Sequence, residues 1–123
     1  MTPTQSRPGG IPTVSVQDAA RRHGPDGDAL LVDVREMSEF VELRIDGATL
    51  VPMSQLGVRF RELPQDRPLL MLCRSGARSG SATTFLIEQG FNDVSNVEGG
   101  MIAWTSAGLP TRNGPLEPGE GDL

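Results

Sequence analysis

The chain has 123 residues, enough for one domain with a real core and too few for two. Hydrophobic content of 37% with 15 Gly and 10 Pro describes a turn-rich globular domain, and no apolar run approaches the roughly 20 residues of a membrane span. A net charge of -5 argues against nucleic acid as a partner; one Cys excludes an internal disulfide, a Cys-x-x-Cys redox pair and a zinc cluster, and one His excludes a multi-histidine metal site.

Residues 1–12 are rich in Pro, Gly, Ser and Thr and read as a disordered arm. They carry no apolar segment of a secretory leader, so the expected compartment is the cytoplasm and no membrane partner is expected. Order is expected from Thr13. Ser15 and Asp18 resemble a capping box opening a short helix that ends at Arg21-Arg22-His23-Gly24, where His23 suits a helix terminus better than catalysis. The run Ala29-Leu30-Leu31-Val32-Asp33-Val34 is a continuous apolar strand of the kind buried in a parallel sheet. Asp33 and Arg35 stand at its carboxyl end, where ligand sites of open α/β sheets lie, and read as an ion pair fixing the loop.

A helix over Met37 to Glu42 and a short strand from Ala48 to Val51 follow, then a helix capped by Ser54 and stopped by Pro64. Pro68 opens the most apolar strand, ending at Leu72. Next comes Cys73-Arg74-Ser75-Gly76-Ala77-Arg78-Ser79, which feeds a helix running to Gln89 and halted by Gly90. A lone Cys is more often a small core hydrophobe. Two Arg, two Ser and a Gly in the six positions after it cannot be a core segment, and a strand-to-helix loop directs its N–H groups at an anion. A thiol there is acidified by the helix N-terminus and the arginines, so Cys73 is a candidate nucleophile with Arg74, Ser75, Gly76, Ala77 and Arg78 as its cradle. Val94 to Val97 form a last strand, ending in Glu98-Gly99-Gly100 and a helix containing Trp104, read as core. Residues 113–123 read as a flexible acidic tail. Strands alternating with helices give an α/β domain over residues 13–112, with a central, mostly parallel sheet of about five strands and helices on both faces. Its carboxyl edge gathers Asp33, Arg35, Cys73 and Glu98, with Asp33, Arg35 and Glu98 read as supporting the loop.

In four segments the chain resembles a single-domain rhodanese, a thiosulfate sulfurtransferase-like module: Asp33-Val34-Arg35-Glu36 with Glu39-Phe40; Asp46-Gly47-Ala48; Cys73 to Ser79; and Glu98-Gly99-Gly100 with Ala103-Trp104 and Gly108-Leu109-Pro110. The resemblance implies transfer of a sulfane sulfur through a persulfide on Cys73, from a small anionic donor such as thiosulfate to an external thiol, a protein thiol included, or to cyanide, with no metal and no cofactor. It also implies that the six-residue loop wraps the Cys sulfur. Where the family commonly has Gly-His-Ile-Pro-Gly-Ala, this chain has Leu43-Arg44-Ile45-Asp46-Gly47-Ala48, which puts the shape of that wall in question. Two other readings compete. A cysteine phosphatase or arsenate reductase also uses a Cys-led loop closed by Arg, but tyrosine-phosphatase-type loops place five residues between them, where Cys73 and Arg78 leave four. A non-catalytic binding module on the same fold would not need the nucleophile that is present.

Overall fold

The computed structural model describes residues 10–123. Five parallel strands lie in the order β1-β5-β4-β2-β3: β1 (Thr13–Val14), β2 (Leu30–Asp33), β3 (Thr49–Leu50), β4 (Leu69–Leu72) and β5 (Val94–Val97). Between and after them run α1 (Val16–Arg22), α2 (Met37–Glu42), α3 (Met53–Arg59), α4 (Ala77–Glu88) and α5 (Gly100–Ser106), with one 3-10 turn, Phe60–Glu62. The α/β class and the parallel sheet are as expected from the alternating pattern. No helix among the described residues is long and apolar enough to cross a membrane.

The sheet is central because its middle strand has no polar face. All four residues of β4 are buried, and the side chains alternate between two cores as a strand's period of two requires. Leu70 and Leu72 join Leu31, Leu50, Phe40, Met101 and Trp104 on one side. Leu69 and Met71 join Val32, Val34, Leu56, Ala82 and Leu86 on the other, in the layer that also holds Cys73. In register, Asp33 pairs with Leu72 and Met71 with Asn96, so the ends of β2, β4 and β5 lie side by side. Cys73 thus leaves the carboxyl end of the middle strand, between two neighbours that fix its height.

Four local expectations change. β1 has only two residues and no hydrophobic period; it forms because Pro12 O accepts the Asn96 N–H and Val14 O accepts the Glu98 N–H. Of the arm expected over 1–12, residues 1–9 lie outside the described residues, whereas Pro12 is already joined to β5. Ser54 is not the cap of α3: the helix begins at Met53 after Pro52, and the Ser54 hydroxyl donates to Glu36 instead. Residues 113–123, expected as a flexible tail, are folded back onto the domain. Gly121 O accepts the Leu50 N–H on edge strand β3, Leu116 packs on the core, and Glu120 pairs with the fully buried Arg44.

Arg44 occupies the His position of the family pattern. Its guanidinium also donates to Gly114 O at 2.8 Å and to the carbonyls of Val41, Phe40 and Pro115 at 3.3–3.4 Å, and Asp46 pairs with Arg112. The departure from the family pattern therefore serves to hold the C-terminal segment. His23 ends α1 as expected, its N–H donating to Ala19 O, while its ring meets Trp104 edge-on at 6.0 Å. Burial pushes the His23 pKa down, and the Asp46 carboxylate works in the opposite direction.

Candidate active site

β4 ends at Leu72, and the chain turns through Cys73 to Gly76 before α4 begins. The turn needs a left-handed residue at the helix N-cap, and Gly76 supplies it with φ +105°. That conformation aims the Gly76 N–H at the Cys73 sulfur, 3.1 Å away. Ser79 Oγ lies 3.2 Å from the same sulfur. Burial pushes the Cys73 thiol up; the Ser79 hydroxyl and the backbone amides of Ser79, Gly76 and Ser75 outweigh it, so the pKa lies below its ordinary value. The surrounding donors thus favour the thiolate form of Cys73 over the thiol.

The loop is clamped from behind by α5. Met101 N–H donates to Cys73 O at 2.9 Å and Ile102 N–H to Arg74 O at 3.0 Å. Such close approach explains Gly100, where a Cβ would stand 2.4 Å from Cys73 O and 2.6 Å from Arg74 O, whereas a Cβ on Gly99 would meet Ala103 Cβ at 2.5 Å. Residue Cys73 is only 1% exposed, while Arg74, Ser75 and Ala77 are exposed around it. The sulfur therefore sits at the floor of the loop, beneath that exposed rim.

Cys73, Ser75, Gly76 and Ala77 form the loop itself, and Arg74 stands on its rim beside a groove of about 200 Å³ between α2 and α5, lined also by Leu43, Met101 and Ile102. Arg78, expected as part of the anion cradle, instead donates from its two terminal nitrogens to the Glu39 carboxylate at 2.8 and 2.9 Å. Glu39 in turn accepts the Glu36 N–H, closing the capping box of α2, and Arg78 holds its carboxyl down at about 2. The pair thus ties the start of α4 to α2.

Asp33 and Arg35 form the expected buried ion pair, with Arg35 Nη2 at 2.7 Å from Asp33 Oδ2. Arg35 also donates to Leu43 O and Glu39 O, so it fastens the end of α2 to the end of β2. Glu98 is exposed in a separate depression with Ser15, Gln17, Ala103 and Ser106, where a place beside the loop was expected. Sequence reasoning passed over Glu39 and Asn96 as site residues. Asn96 had one signal, a carboxamide in a strand otherwise suited to burial, and it donates to Gly76 O at 3.1 Å.

Residues 15–107 match the family profile described as Rhodanese-like domain. A sulfurtransferase of Allochromatium vinosum is 39% identical over 97 residues, covering 79% of this chain and 91% of that one. The thiosulfate sulfurtransferase GlpE of Glaesserella parasuis is 36% identical over 87 residues, covering 71% and 81%. A crystal structure of a rhodanese-related protein from Thermoplasma volcanium superposes with a TM-score of 0.75 at 28% identity, covering 81% and 96%. Other relatives are longer, the chain spanning 21% of two from Mycobacterium tuberculosis.

Proposed function

Because this chain belongs to the rhodanese-like domain family, as a sulfurtransferase of rhodanese type, we propose that it carries a sulfane sulfur as a persulfide on Cys73. The observation that carries the reading is the cradle at Cys73 Sγ, with the Gly76 N–H at 3.1 Å and Ser79 Oγ at 3.2 Å. The thiolate attacks the outer sulfur of a small anionic donor such as thiosulfate. A bond forms between Sγ and that sulfur as the donor's S–S bond breaks, and its electron pair leaves on sulfite. The persulfide then holds the negative charge on its outer sulfur, which an external thiolate or cyanide removes, returning the electron pair to Sγ.

No second Cys exists in the chain, so the acceptor comes from outside and approaches through the exposed Arg74–Ala77 rim. Arg74 supplies positive charge there, while Arg78 serves the loop by its pairing with Glu39. Four residues between Cys73 and Arg78, and the engagement of Arg78 by a carboxylate, both disfavour the phosphatase reading, which needs that arginine for phosphate. Steady turnover of thiosulfate and cyanide to thiocyanate, lost in Cys73→Ser, is the expected result. A wild-type chain that turns over no anionic or persulfide donor would favour the non-catalytic module instead.

A further inference from the structure

Asn96 bridges two parts of the loop from the neighbouring strand. It is 9% exposed; its Nδ2 donates to Gly76 O at 3.1 Å, and its Oδ1 lies 2.6 Å from Ser79 Oγ. The Gly76 carbonyl can only accept, so it fixes the amide with NH₂ toward Gly76 and oxygen toward Ser79.

The Ser79 hydroxyl is completely buried and has one proton, yet it stands between two acceptors, Asn96 Oδ1 at 2.6 Å and Cys73 Sγ at 3.2 Å. With Cys73 as a thiol there is no conflict: S–H donates to Oγ, and the hydroxyl donates to Oδ1. With Cys73 as a thiolate both neighbours of the hydroxyl need its proton. Turning it to sulfur leaves a buried amide oxygen without that donor; leaving it on Asn96 deprives the charge of its side-chain donor.

We propose that Asn96 is a positioning residue that competes with Cys73 Sγ for the single Ser79 hydroxyl proton, so that the direction of that proton follows the charge on the sulfur. This rests on the sulfurtransferase reading for its use. The proton turns to Sγ when the thiolate forms. It returns to Asn96 when the charge has moved to the outer sulfur of the persulfide, and swings back as Sγ becomes the leaving group. Asn96 thereby moderates how firmly the cradle holds the thiolate relative to the neutral inner sulfur.

The test is the pH dependence of Cys73 alkylation by iodoacetamide in wild type, Asn96→Ala, Ser79→Ala and the double variant. Ser79→Ala is expected to raise the thiol pKa by about one unit through loss of a hydrogen bond to a charged group. Asn96→Ala releases the hydroxyl to the sulfur and is expected to lower it by about half a unit to one unit. In the Ser79→Ala background the Asn96 substitution should shift nothing. Asn96→Val, which fills the space and suits a strand, is expected to agree in sign and serves if the alanine variant does not fold. An unchanged or raised pKa in the Asn96 variants, or a lowering that persists without Ser79, overturns the proposal. Alkylation needs no sulfur donor: a chain that alkylates as expected but takes up no sulfur would refute the sulfurtransferase reading alone.

Discussion

Glu120→Ala perturbs the contact that holds the C-terminal segment. The Arg44 side chain is completely buried and that of Glu120 is 10% exposed, and they meet through Nε and Nη2 at 2.5 and 3.0 Å. Removing one partner of a buried pair costs about 3–5 kcal/mol, because the other charge stays in a medium that solvates it poorly. Glu120 is the partly exposed member of the pair, so water can take the place of its carboxylate beside Arg44 once it is removed, and the loss should be about 2 kcal/mol. For a domain of this size that lowers the Tm by about 8 °C. Urea unfolding followed by the fluorescence of Trp104, the sole tryptophan and itself buried, reports it directly. A double-mutant cycle with Arg44→Met should return a coupling of at least about 1 kcal/mol. A loss below about 0.5 kcal/mol with no coupling would place this substitution among ordinary surface changes and refute the anchoring of residues 113–123 on Arg44.

The Glu39 carboxyl is held at about 2, below its ordinary 4.5, so its pairing with Arg78 contributes stability that is present above pH 4.5 and is lost as pH falls toward 2. The stability lead of wild type over Glu39→Gln should therefore be constant near neutrality and shrink across that interval in urea titrations; a lead independent of pH would contradict it. Gly100→Ala forces a Cβ against two loop carbonyls at φ +57°, and should either prevent folding or slow Cys73 alkylation at least about tenfold. A folded variant alkylating at the wild-type rate would show that the α5 clamp does not shape the loop. Ser95 Oγ is buried without a hydrogen-bond partner, so Ser95→Ala should raise stability by about 1 kcal/mol in the same urea assay, whereas a loss would reveal a partner.

What the sequence made legible was what local pattern controls. The run Leu69 to Leu72 announces a strand buried on both faces, Gly90 announces a helix end, and Ser15 caps α1 through the Asp18 N–H as its spacing suggests. Contacts between distant residues were not legible. Pro and Gly in residues 113–123 suggest a loose tail, and only Arg44, 76 positions before Glu120, gives the segment a place to bind. Arg78 looks like a free cation until Glu39, 39 positions away, takes its fork. The nucleophile was readable because everything that defines it lies within seven residues, from Cys73 to Ser79. Asn96 was not, because its meaning depends on a register with β4 that places it beside the loop.

Intact-mass measurement after incubation with thiosulfate, and with a small persulfide donor in parallel, tests the central claim most directly. The wild-type chain should gain one sulfur atom that cyanide or a thiol then removes, and Cys73→Ser should gain none. No gain with either donor, or a gain that survives the loss of Cys73, would contradict the assignment of Cys73 as sulfur carrier.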